Sequence, residues 1–192
     1  MSEPFEFSAE YAPQVHRAIA KYPEGREQSA VLPLLDLAQR QIGGYVSEEA
    51  VVAIATMLKM PRIRVIEVAT FYTMINLKPV GKHLLQCCTT TPCWLRDSGS
   101  VVDAIQSHLG IGMGETTEDG LFSLMEVECL GACVNAPVVQ INDNLYEDLT
   151  ADKIVKVLDE LKAGKTPPMG SQIGRKGSEP VNGAITLTGM AE

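Results

Sequence analysis

All five cysteines of this 192-residue chain fall between Cys87 and Cys133. An odd number of thiols confined to one segment does not make a disulfide framework. The N-terminus, MSEPFEFSAEY, is acidic; it has neither the apolar core of a signal peptide nor the arginines of a transit peptide. The cysteines point instead to a local site. They stand as Cys87, then Cys88-Thr-Thr-Thr-Pro-Cys93, and, after a gap of 35 residues, Cys129-Leu-Gly-Ala-Cys133.

The frame around them reads as α/β. His83-Leu-Leu-Gln-Cys-Cys88 is a short strand, and Ser98 to Leu109 is an amphipathic helix stopped by Gly110. Leu121 to Glu128 alternates as a half-buried strand. Val138-Val-Gln-Ile141 and Asn144-Leu-Tyr146 form a hairpin across Asn142-Asp143. Thr150 caps a last helix that carries Ile154, Val155, Val157, Leu158 and Leu161. The order β-α-β-β-β-α suits a small mixed sheet of the thioredoxin kind. Neighbours on a strand face opposite ways, so Cys87 and Cys88 cannot readily serve one site. Four ligands and one spare account for the odd number. Taking Cys88 gives C-x4-C and C-x3-C, both in loops that follow strands. Parallel strands would bring those loops out at one end of the sheet.

Four converging thiolates admit several chemistries. Structural zinc sites favour C-x2-C knuckles, and thiol–disulfide enzymes use C-x-x-C. Neither spacing occurs here. A [2Fe–2S] cluster takes two thiolates on each iron, and wider loops can wrap it while aiming N–H groups at sulfur. Spacing leaves cluster, zinc and disulfides or free thiols all open, and favours the cluster. Thr89, Thr90 and Thr91 supply donors beside the first pair, and Gly131 permits close backbone approach beside the second. His16, His83 and His108 read as solvated or packed residues. Trp94 reads as a shield, a partner contact or a packed side chain.

Residues 1–79 read as a small bundle of four helices, begun near Ser8, Ser29, Ser47 and Pro61. Nothing in it looks catalytic; Phe71, Tyr72 and Met74 read as core or as a docking surface. The breaker cluster Lys78-Pro-Val-Gly81 sets a boundary, leaving residues 80–162 as the thiol-bearing domain. Residues 163–192 contain six Gly and three Pro and read as an extended tail, disordered or ordered against a partner. Ala184-Ile-Thr-Leu187 is its one apolar anchor. Net charge is −1, −8 and +1 over these three regions, so the excess acid surrounds the cysteines. That balance argues against nucleic acid or an anionic membrane as partner, and no apolar run reaches the ~18 residues of a membrane span. G-x-G-x-x-G and P-loop patterns are missing, so two-electron nucleotide chemistry would belong to a partner.

Taken together, Cys88-Thr-Thr-Thr-Pro-Cys93, the 35-residue gap and Cys129-Leu-Gly-Ala-Cys133-Val-Asn-Ala-Pro resemble the [2Fe–2S] subunits of respiratory NADH:ubiquinone oxidoreductase, complex I. Val68-Ala-Thr-Phe-Tyr72, Pro79-Val-Gly-Lys82 and Leu145-Tyr-Glu-Asp-Leu-Thr150 extend the resemblance over the whole chain. It implies an α+β chain, with an N-terminal helical bundle followed by a thioredoxin-like ferredoxin domain. It implies that Cys88, Cys93, Cys129 and Cys133 hold one [2Fe–2S] cluster, with FMN and NADH on a larger flavoprotein subunit; the acidic charge around the cysteines predicts a low potential for it. The chain would then be an electron carrier, peripheral to the cytoplasmic side of a bacterial inner membrane, without a complete active site of its own. The equivalent subunit of a soluble NAD-linked formate dehydrogenase or hydrogenase is the alternative within the superfamily, and a zinc-binding structural module the alternative outside it.

Overall fold

A computed structural model describes residues 4–183 and Thr186. The chain divides into two compact units, one ending at Val80 and one beginning at Gly81.

The first unit contains α1 (Ala12–Ile19), α2 (Val31–Ile42), α3 (Glu48–Met57) and α4 (Arg62–Phe71). Its core is built on Leu34, Leu35, Ala38, Ala50, Ile54 and Val65, all essentially inaccessible to water. Ser47 caps α3 through its hydroxyl, which accepts from the Ala50 N–H at 3.2 Å. Ser29 does not cap α2. It lies in a 3-10 turn, Glu27–Ala30, that runs directly into the helix, and Pro33 occupies the first turn, where its missing N–H costs nothing. Phe71, Tyr72 and Met74 are not core: Phe71 is 77% exposed.

The second unit is a five-stranded mixed sheet ordered β2-β1-β3-β4-β5, with β1 His83–Cys88, β2 Phe122–Val127, β3 Val139–Ile141, β4 Asn144–Glu147 and β5 Gly170–Ser171. Strand β1 pairs parallel with β2 and antiparallel with β3; β4 pairs antiparallel with β3 and parallel with β5. A short helix, α5 (Thr91–Leu95), interrupts what the sequence presents as a loop. Helices α6 (Ser98–Leu109) and α7 (Ala151–Lys162) supply Val101, Ile105, Ile154 and Leu158 to a core shared with Leu85, Phe122 and Leu124. Thr150 caps α7, its hydroxyl accepting from the Lys153 N–H. The described residues of the tail do not stand apart, since β5 adds an edge strand beside β4. Apart from Thr186, the anchor Ala184-Ile-Thr-Leu187 lies outside the described residues.

Candidate metal centre

Parallel pairing of β1 with β2, in a register that sets Cys88 opposite Val127, makes the two strands end together. The chain then leaves β1 into α5 and leaves β2 towards Cys129, so both cysteine segments start from one end of the sheet. The first pair is not wholly in a loop: Cys88 is the last residue of β1 and Cys93 sits inside α5. Both are buried, in a small cluster with Ala136 and Val138 and against Leu130 and Ala132. Cys129 and Cys133 are exposed, with their sulfurs 3.3 Å apart. Among the described residues, no three His, Cys, Asp or Glu side chains close around a point as one metal ion requires. The donors stand as two thiol pairs, and four thiolates fit the two irons of a [2Fe–2S] group, two on each.

Each pair has one thiol disposed to lose its proton. Burial alone would raise Cys88, but the Thr90 hydroxyl and N–H, the Leu130 N–H and the Cys93 thiol outweigh it and hold Cys88 below the ordinary value. The Thr90 oxygen lies 3.2 Å from the Cys88 sulfur. In the second pair, the Gly131 N–H, then the Cys133 thiol, lower Cys129. Gly131 donates at 3.4 Å from a left-handed conformation, φ +82°, that a residue with a Cβ adopts only under strain. Cys93 is pushed up to about 12 by burial and by donating to Cys88, and Cys133 is raised chiefly by donating to Cys129. Donors thus already face the sulfurs at which a bound cluster would place negative charge.

Cys87 belongs elsewhere. It lies in the main core with Leu85, Val101 and Leu124, on the other side of the strand from Cys88. Burial pushes its thiol up to about 12, so it is a packed apolar residue in effect. None of the three histidines joins the thiols: His83 stacks on Phe122, His108 binds Asp159 at 2.9 Å, and His16 lies in α1. Trp94, 67% exposed, does not pack into the chain's interior.

Residues 15–162 match the model of the thioredoxin-like [2Fe-2S] ferredoxin family. The chain belongs to that family. Two curated relatives extend the match. One, from Rickettsia conorii, is a subunit of NADH-quinone oxidoreductase, 60% identical over 75% of this chain and 86% of that protein. Another, from Dictyostelium discoideum, is the mitochondrial NADH dehydrogenase [ubiquinone] flavoprotein 2, 49% identical over 96% of this chain and 74% of that protein. Among solved structures, an NAD+-reducing [NiFe]-hydrogenase aligns with a TM-score of 0.62 at 18% identity, over 71% of this chain. The aligned region is 23% of the hydrogenase chain, and at that identity the likeness is one of fold. As a family member the chain is of a [2Fe–2S] type, and no helix among its described residues is long and apolar enough to cross a membrane.

The residues that bond to the segment after Cys133 have no local signal in the sequence. Asp148 bonds to Asn135 and Arg175 to Val134, yet Asp148 and Arg175 are 27 positions apart.

Proposed function

We propose that this chain is the electron-carrier subunit of an NADH:quinone oxidoreductase, holding one [2Fe–2S] cluster on Cys88, Cys93, Cys129 and Cys133. The observation that carries the assignment is the convergence of two thiol pairs at one end of the β1–β2 pair while Cys87 faces the opposite core. When bound, the cluster supplies one-electron exchange. The chain's own residues hold it and tune it. Thr90 and the Gly131 N–H direct hydrogen bonds at ligand sulfurs, and α5 and Val138 bury the first pair. Both relatives bear the names of NADH-quinone oxidoreductase or NADH dehydrogenase components, which favours this reading over a hydrogenase role.

The FMN and the NADH site lie on a larger flavoprotein subunit, and this chain docks there on the cytoplasmic face of the complex. Exposure of Cys129, Cys133, Trp94, Leu95 and Val134 around one end of the domain suits a surface that a partner covers. Division into a bundle of residues 1–79, a ferredoxin domain of 80–162 and a partner-docking tail completes the reading. Metal and sulfide analysis tests it. About two irons and two acid-labile sulfides per chain, with an EPR signal on reduction by NADH in the presence of the flavoprotein subunit, is the expected result. One zinc without visible absorbance would overturn it.

A further inference from the structure

The tail reaches the segment that follows Cys133. Asp148, at the end of β4, and Arg175, in the tail, form an ion pair whose side chains are 6% and 7% exposed. The contact is bidentate: Arg175 Nε donates to one carboxylate oxygen at 3.0 Å and Nη2 to the other at 2.5 Å. Ser171 Oγ donates to Asp148 at 2.6 Å. Arg175 Nη2 also donates to the carbonyl of Val134, the residue after Cys133, at 3.1 Å. Asn135 Nδ2 donates to the Gly177 carbonyl at 2.9 Å, and the Asp148 N–H donates to the Asn135 carbonyl at 2.7 Å. The 3-10 turn Cys133–Asn135 is therefore pinned from both sides, by β4 and by the tail.

We propose that residues 170–179 are a strap that holds the Cys129–Cys133 segment in its ligand-presenting conformation, with Arg175 as its positioning residue. The physical reason is exposure. The first pair is buried and fixed by β1 and α5, whereas Cys129 and Cys133 are exposed, on a segment whose regular structure is one short 3-10 turn. Arg175 suits the task because its planar fork can grip a carboxylate and still reach a carbonyl, which a lysine cannot do with one ammonium group. Hydrogen bonds of this outer kind typically change metal retention 10–100-fold. The tail thus acts on this chain's own site, so shortening the chain should alter the cluster, contrary to the expectation of a purely partner-directed arm.

The inference rests on the ligand assignment above, and the test separates the two. Full-length wild type, Arg175→Gln, Arg175→Lys and a chain ending at Gly164 are purified with the flavoprotein subunit. The truncated chain leaves Asp148 open to water rather than stranded, so it covers the case in which Arg175→Gln fails to fold. Cluster release to excess chelator is followed by absorbance, the reduced cluster by EPR line shape, and residues 129–136 by amide exchange. Arg175→Gln and the truncation should release the cluster at least tenfold faster, broaden the EPR signal and raise exchange at 129–136, with Arg175→Lys intermediate. Release rates and line shapes equal to wild type, with only the melting temperature lowered, would overturn the strap. A wild type without iron and sulfide would instead overturn the ligand assignment, and the exchange measurement would still decide whether Arg175 holds the segment.

Discussion

Cys88 on β1 stands opposite Val127 on the parallel strand β2, two positions before Cys129. That single register brings two cysteine segments, remote in sequence, to one end of the sheet. Alternation along β1 sends the neighbouring Cys87 into the opposite layer. Replacing the two adjacent thiols should have opposite consequences. Cys88→Ala removes a proposed ligand, and iron, sulfide and visible absorbance should fall together. Cys87→Ala should keep about two irons per chain while lowering stability by about 1–2 kcal/mol through a small core void. Iron analysis beside urea unfolding distinguishes them, and loss of iron from Cys87→Ala would make Cys87 a ligand.

Gly81 enters β1 pressed against β2. A Cβ there would lie 2.6 Å from the Phe122 carbonyl carbon and 2.9 Å from two backbone nitrogens. Backbone cannot swing aside as a side chain can, and the Gly81 N–H is bonded to the buried Ser123 hydroxyl at 2.7 Å. Gly81→Ala should therefore cost about 1–3 kcal/mol by overpacking, despite the usual gain from replacing a glycine. A urea midpoint at or above that of wild type would refute the close approach.

Much of this frame is legible from residue pattern. The Asn142-Asp143 turn, Gly110 after α6 and the Ser47 and Thr150 caps act through neighbours a few positions away, so their chemistry shows in the sequence. The opposed faces of Cys87 and Cys88 follow from strand geometry alone. What stays hidden has one of two causes. Helix α5 and strand β5 have five and two residues, too few for a period to appear. The strap depends on contacts such as Asp148–Arg175 and Asn135–Gly177, which only the folded chain brings together. Ser29 shows the reverse case, a good capping residue overtaken by a 3-10 turn.

The Asp148–Arg175 pair should also leave a mark on acid stability. Burial alone would raise the Asp148 carboxyl, but the hydrogen bonds from Arg175 and Ser171 and the nearby positive charges outweigh it and hold it below the ordinary value. A group depressed in the folded state stabilises fully above its unfolded pKa, about 3.9, and that stability is lost as pH falls through the folded value. Removing one member of a buried pair costs about 3–5 kcal/mol. Asp148→Asn should thus be less stable at pH 6, and the difference from wild type should shrink below about pH 4. Urea midpoints between pH 2.5 and 6 would show it; a difference constant with pH would mean that Asp148 carries no linked proton.

The acidity around the cysteines divides when placed on the sheet. Glu126 lies beside Cys87 across β1–β2 and accepts from the Thr89 hydroxyl, and Glu128 precedes Cys129. Glu118 and Asp119 lie in the turn before β2, at the end of the sheet away from the thiols, whereas Glu115 runs back beside Leu124, midway along the strand. Six residues of strand span about 20 Å, roughly twice the ~8–10 Å screening length at physiological salt. Adding an electron near a carboxylate is unfavourable, so neutralising one should raise the reduction potential only where the carboxylate is near. Glu126→Gln and Glu128→Gln should each raise it by about 20 mV, the equivalent of ~0.5 kcal/mol for charges about 10 Å apart in a largely aqueous surround. Glu118→Gln and Asp119→Asn should leave it unchanged at physiological salt and shift it slightly at low salt. Redox titration monitored by EPR decides between them, and equal shifts from both groups would mean that overall charge, not position on the sheet, sets the potential.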